Sequence, residues 1–385
     1  MSTGLKPIRR VVTGNDERGR SKVVWDGPAP NAHEASMGSG RGHTDLWVWA
    51  ESPAPLAGEA DDGNLPYVFP GPPGGGHLRV VQARPRPADY DPARDPEAVA
   101  PHPPRLRPGT TRTWDRGGNN AYCSAMHKTE TVDYGIVISG ERDLVLDDCE
   151  LLMKPGDIVV QVGAWHQWRM PDGIVMAFDM IAARFVDGPA GLAQGDDAPL
   201  TTVPKLPEGV KPTRRIVTID REPGKGSLLA DGPAPDVRTD PARPGFALAR
   251  IWVTDGTPAK IVRESLHLPH VLLPPAGGSV LNVFTFPPDD AWRGKIGARE
   301  VQAFYRAVGA PGASTYSPLA PHPYMQRTRT LDFCIVLEGE IVLVLDTQEV
   351  ALRAGEVAIL RGAHHAWSNR STRPAVLAIA SHDGK

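Results

Sequence analysis

The 385-residue chain holds three cysteines, Cys123, Cys149 and Cys334, and no C-x-x-C pair. So few thiols exclude a disulfide framework, and a reducing compartment is expected. Aromatic residues make up 6% of the chain. No run approaches the roughly 18 apolar residues of a membrane span. The first residues, MSTGLKPIRRVV, contain no apolar signal core, so a cytoplasmic location is expected rather than secretion. Neither charge sign dominates: 42 Lys+Arg stand against 45 Asp+Glu. A nucleic-acid surface needs clustered excess Lys/Arg, so neither nucleic acid nor membrane is an expected partner.

What the chain has in quantity is glycine and proline, 40 of each. It also repeats itself. RRVVTGNDERGRSKVVWDGPAP (9–30) returns as RRIVTIDREPGKGSLLADGPAP (214–235), an offset of 205. DLWV at Asp45 returns as RIWV at Arg250 with the same offset. From 126 to 168 the offset is constant at 199, and 18 of 43 positions are identical to 325–367. An ungapped match of that length makes the chain two copies of one fold. The copies occupy 1–186 and 214–385, and the Pro/Gly/Asp-rich 187–213 reads as a linker.

Within a copy, DYGIVIS, RDLVLDD, LLMKPGD, IVVQVG and IVMAFDMIA follow one another at roughly ten-residue spacing, broken by Gly, Pro and Asp. That pattern predicts an all-β barrel or sandwich. One helix is predicted over 298–309, where Val301, Phe304, Tyr305 and Val308 share a face. The matching part of copy one, 89–116, is Pro/Arg-rich and reads as irregular: a lid or a solvated crossing segment.

On an extended strand, residues two apart face one side. In HKTETVD, His127, Thr129, Thr131 and Asp133 therefore point together. Polar groups turned into a barrel must be paired or bind something. In GAWHQW, His166 and Trp168 share one face. If the two segments meet, His127, Asp133 and His166 form a set of two imidazoles and one carboxylate. Such a set suits Fe(II) first, and Zn, Mn or Ni next. The alternative is a metal-free hydrogen-bonded cluster that acts as general acid and base.

These residues resemble the cupin superfamily, and the whole chain resembles a bicupin, two small jelly-roll barrels in tandem. In the family's first motif, Gly140 takes the closing Gly, Asp133 the Glu and His127 the first His. Thr129 stands where the second His belongs, and Ala121 at the opening Gly. In the second motif Gly163 and His166 match, after the Pro155-Gly156 turn. The resemblance implies that the segments carrying His127 and His166 pair. It implies no single reaction, because cupins include oxygenases, isomerases, lyases and binding proteins.

Copy two has Gln326 in place of His127, with Thr328, Asp332 and His365 at the other positions, a poor metal set that predicts a degenerate pocket. His364 corresponds to Trp165 and is expected at the surface. Thr129, Thr131 and Trp168 are candidate substrate contacts, and Arg112 a candidate grip for an anion. Trp47 and Trp252 are expected in core or interface, and Tyr134 and Phe333 in core. The function expected first is a metal-dependent dioxygenase acting on a hydrophobic, aromatic or polyketide-like small molecule. The alternatives are an acid–base cyclase, isomerase, lyase or decarboxylase in the same pocket, and a non-catalytic binder. Further pairing of the chain into a homodimer stays open.

Overall fold

The computed structural model describes the chain except residues 1–3, 59, 66–68, 86–87, 99, 107–111, 119–123, 170 and 187–190. Cys123, Ala121 and the Asn119-Asn120 pair lie outside the described residues. The architecture is all-β. Each half has one large sheet facing a three-stranded sheet, the layout of a cupin barrel. In the first half, Arg142–Val145, Glu150–Met153 and Gln167–Trp168 form the small sheet. Glu340–Leu345, Glu349–Arg353 and His365–Ser368 do so in the second.

The leading hairpin of each repeat crosses to the other half. Strand Arg9–Asn15 runs parallel to Val357–Arg361, with Arg10 opposite Val357. Strand Arg214–Glu222 runs parallel to Ile158–Val162, with Arg215 opposite Ile158. The 187–213 expectation divides the two sequence copies, but in space each copy lends its first hairpin to its neighbour. A buried arginine ties each hairpin back to its own half. Arg10 donates to the Leu46 carbonyl and pairs with Asp61, and Arg215 donates to the Ile251 carbonyl and pairs with Glu264. These are the paired burials that an interior charge requires.

Strand alternation sorts the side chains into three apolar layers. In Thr131–Ser139, Val132, Tyr134 and Ile136 point out of the first barrel into a core shared with Phe333, Leu331 and Trp252 of the second. The two large sheets thus pack on each other. Trp47 and Trp252 are each 1% exposed in this layer, and the Tyr134 hydroxyl meets Ser279 Oγ at 2.8 Å across it. The alternate residues fill the two cups.

The second cup is packed with Phe246, Phe284 and Phe304, the last from the helix Ala298–Ala307. The helix forms as its apolar spacing predicts, burying Val301, Phe304 and Tyr305. The corresponding segment of the first half is less irregular than expected. Arg105–Leu106 pairs with Thr113–Asp115, which pairs with His127–Thr129. Among the described residues no helix is long and apolar enough to cross a membrane.

Candidate active site

Gly163, at φ +58°, turns the chain out of strand Ile158–Val162 and brings His166 back beside His127. The main chains bond in both directions: His127 N–H to the His166 carbonyl at 2.8 Å, and His166 N–H to the His127 carbonyl at 2.9 Å. Ring centroids are 4.3 Å apart. Each imidazole is further fixed through Nδ1, to the Ala125 carbonyl at 2.8 Å and the Ala164 carbonyl at 2.9 Å. A carbonyl can only accept, so Nδ1 of each ring donates and Nε2 is the nitrogen left for other work.

Both rings line a cavity of about 150 Å3 inside the first barrel, with Thr129, Asp133, Gln161 and Trp168. Phe178 and Met180 supply apolar wall, and His43, Arg79 and Arg142 complete its polar side. The Arg142 guanidinium lies 4.5 Å from the Trp168 ring, and burial pushes its pKa down to about 9. Asp133 is buried and sits opposite Gln161 in the sheet register. Burial pushes its carboxyl up to about 7; the Thr131 hydroxyl opposes the rise and Asp179 adds to it. Among the described residues, Asp133 Oδ1 and both polar atoms of the Gln161 amide have no hydrogen-bond partner. Buried polar atoms are rarely left so, and these mark where a polar group of a ligand would sit.

The expected ligand set is thus brought to one cavity, but not to one point. Among the described residues, the group of three ligand atoms lying within 4.8 Å of one another is His33, His43 and Asp45, not His127, Asp133 and His166. The fit to a divalent ion therefore covers the two imidazoles, whose Nδ1 anchoring is what metal-bound histidines use. It stops short of the carboxylate. In the other group, Arg79 already holds Asp45 through two contacts, at 2.7 and 3.1 Å. That opposite charge leaves little demand for a cation.

Two expected substrate contacts fall elsewhere. Arg112 donates to the Gly71 and Glu130 carbonyls, at 2.9 and 3.0 Å, and does not line the cavity. Its guanidinium serves loop structure, because buried carbonyls demand donors. Thr131 is 1% exposed beside Asp133 and stops short of the cavity wall. Sequence reasoning missed His43, Arg79, Arg142 and Gln161. Gln161 alone had a legible signal, a polar residue in the apolar run IVVQVG at the parity of the inner face.

The second cup holds a different set of side chains. Gln326 Nε2 stands 3.2 Å from His365 Nε2, and the remaining cavity is about 50 Å3. Burial drives His365 down to about 4. His364 turns the other way and bridges Asp346 and Thr315, both at 2.6 Å.

Residues 311–381 match the family model described as a cupin domain. A protein named phomopsin biosynthesis cluster protein C', from Diaporthe leptostromiformis, is 31% identical over 175 residues, 44% of this chain and 73% of the relative. A cupin-domain-containing oxidoreductase named virC, from Hypocrea virens, is 50% identical over 47 residues, 12% of this chain and 24% of the relative. Among solved structures, quercetin 2,3-dioxygenase from Acinetobacter baumannii aligns over 92% of this chain and 84% of its own at 13% identity and a TM-score of 0.35. That likeness is too distant to speak to activity.

Proposed function

The chain belongs to the cupin superfamily, and on that premise we propose that its first barrel is the active site of a small-molecule oxidoreductase. The observation that carries this reading is the anchored imidazole pair on the wall of a cavity whose second barrel counterpart has lost it. The names of the oxidoreductase relatives support the reaction class. A cavity of about 150 Å3 takes a ligand portion the size of one aromatic ring. Trp168, Phe178 and Met180 would hold its flat apolar part. The Gln161 amide and the Asp133 carboxyl would hold a hydroxyl or carbonyl, because both have polar atoms to satisfy.

When bound, a divalent ion on His127 and His166 Nε2 supplies Lewis-acid or redox chemistry, with Fe(II) and dioxygenation the first choice. The chain's own part is to exclude water, orient the ring and hold protons. Nδ1 of each histidine is locked by a carbonyl, so any proton moves at Nε2. Asp133, with its pKa near 7, can offer a proton or accept one at neutral pH. A second reading rests on the distance of Asp133 from the imidazoles: proton-transfer chemistry, isomerisation or lyase work, without a metal.

Elemental analysis of protein purified without added metal separates the two. About one equivalent of iron per chain, with oxygen uptake in the presence of substrate, is the result expected for the oxidoreductase. A chain carrying less than about a tenth of an equivalent of any divalent metal, yet catalysing proton exchange into an aromatic ligand, would replace it with the second reading.

A further inference from the structure

Strand Arg142–Val145 brings to the first cup a residue that the second repeat does not share. Arg142 pairs with Met153 across the small sheet as Ile341 pairs with Leu352 in the second half, so Arg142 and Ile341 are equivalent. Ile341 is 1% exposed and packs in the apolar core of the second cup. An apolar residue therefore satisfies the fold at this position. The first cup instead buries a guanidinium, 2% exposed, on the wall of its cavity.

Buried arginines elsewhere in the fold meet a carboxylate. Arg79 meets Asp45, Arg215 meets Glu264, Arg243 meets Asp240 and Arg250 meets Asp236, at 2.6 to 2.8 Å. An interior charge is costly unless such a partner offsets it. Among the described residues Arg142 has no carboxylate partner. Its Nε donates to the Arg169 carbonyl at 3.2 Å, its Nη1 lies 3.6 Å from Met176 Sδ, and its Nη2 makes no hydrogen bond. The Asp133 carboxyl of the same cavity responds to burial, Thr131 and Asp179 rather than to Arg142. The rings of Trp168 and Phe178 lie 4.5 and 5.7 Å from the guanidinium. Ring faces return only part of what a cation loses on leaving water. Burial lowers the Arg142 pKa to about 9 with no acid opposing the fall, so the group still carries its charge at pH 7.

The other arginine of the wall, Arg79, is committed to Asp45, which leaves one cationic charge for a ligand. One charge matches a monoanion better than a phosphate dianion, and the planar guanidinium matches the plane of a carboxylate. The cavity of about 150 Å3 admits that group together with one ring.

On the reading of the first cup as the active site, we infer that its substrate is a flat, aromatic carboxylic acid whose carboxylate is bound by Arg142. Arg142 is then the residue that selects the acid over the amide or ester of the same shape. The second cup, with Ile341 at that position, lacks this selectivity.

Isothermal titration calorimetry of the full chain at pH 7, with benzoate and with benzamide, is the test. Benzoate should bind at about one site per chain and at least about tenfold more tightly than benzamide, because a charge-assisted hydrogen bond replaces a neutral one. Arg142→Ile installs the residue that the second cup already carries, so the fold should hold. This variant should lose at least about tenfold in benzoate affinity and keep its benzamide affinity within about threefold. Its urea unfolding midpoint should equal or exceed that of wild type, because an uncompensated buried charge is gone. Benzamide binding as tightly as benzoate, or benzoate affinity unmoved in Arg142→Ile, would overturn the inference and leave the first cup a ligand site. A midpoint well below wild type with both ligands lost would make Arg142 a structural residue and overturn it too. Failure of both probes to bind the wild-type chain would take the active-site reading down with it.

Discussion

Asp220→Asn is expected to lower stability by about 3–5 kcal/mol, the cost of leaving one partner of a buried ion pair behind. The Lys128 ammonium and the Asp220 carboxylate meet at 2.5 Å with both side chains fully buried. Asp220 also accepts the Trp165 N–H at 2.9 Å. The pair joins strand His127–Thr129 of the first repeat to a hairpin of the second, so its loss loosens both the exchange and the frame of His127. Burial opposes both charges: it holds the Lys128 pKa down and the Asp220 pKa up. Once Asp220 is neutral, Lys128 loses the carboxylate that favours its charged form, and burial then favours shedding its proton. The destabilisation should therefore shrink as pH rises from 7 toward 10. Urea unfolding midpoints at the two pH values measure this. The apolar double variant Lys128→Met/Asp220→Leu should lie much closer to wild type, because no uncompensated charge remains.

A pH-linked penalty at Asp133 is the second large effect. The folded-state pKa, about 7, lies above the ordinary carboxyl value of 3.8. A raised acid binds its proton more tightly when folded. Its favourable contribution is complete below about pH 4 and is lost as pH climbs through about 7. At roughly 1.4 kcal/mol per pH unit the loss reaches the order of 4 kcal/mol by pH 8. Asp133→Asn cannot ionise, so its stability should change less between pH 4 and 8 than that of wild type. At pH 8 the variant should be the more stable by a few kcal/mol, measured by urea unfolding. Equal pH slopes for the two proteins would show that Asp133 is not charged against its surroundings. Asp332, raised to about 6 by burial in the second cup, titrates in both proteins and leaves a shared residual slope.

The two effects show which parts of the molecule the sequence made legible. The duplication, the strand alternation and the amphipathic helix are local patterns, and each appears where its period places it. His127 and His166 were joined by family resemblance, and the Gly163 turn brings them together. Asp133 followed the parity rule to the inner face, but parity fixes a face and not a distance. Its separation from the imidazoles depends on how the strands stagger across the sheet. The hairpin exchange was hidden for a related reason. Arg9–Asn15 and Arg214–Glu222 are nearly the same sequence, and either could lie on either barrel. Only the three-dimensional path of the connections decides. Arg112 misled because a cation near a motif histidine looks like an anion grip, whereas the nearby carbonyls of Gly71 and Glu130 take its donors first.

Cobalt titration followed by visible absorption puts the imidazole pair itself to the test. Co(II) should bind the wild-type chain and the His365→Ala variant at about one equivalent, and the affinity should fall at least about tenfold in His127→Ala and in His166→Ala. Undiminished binding in both first-barrel variants, or its loss in His365→Ala, would contradict the assignment of the chemistry to the first cup.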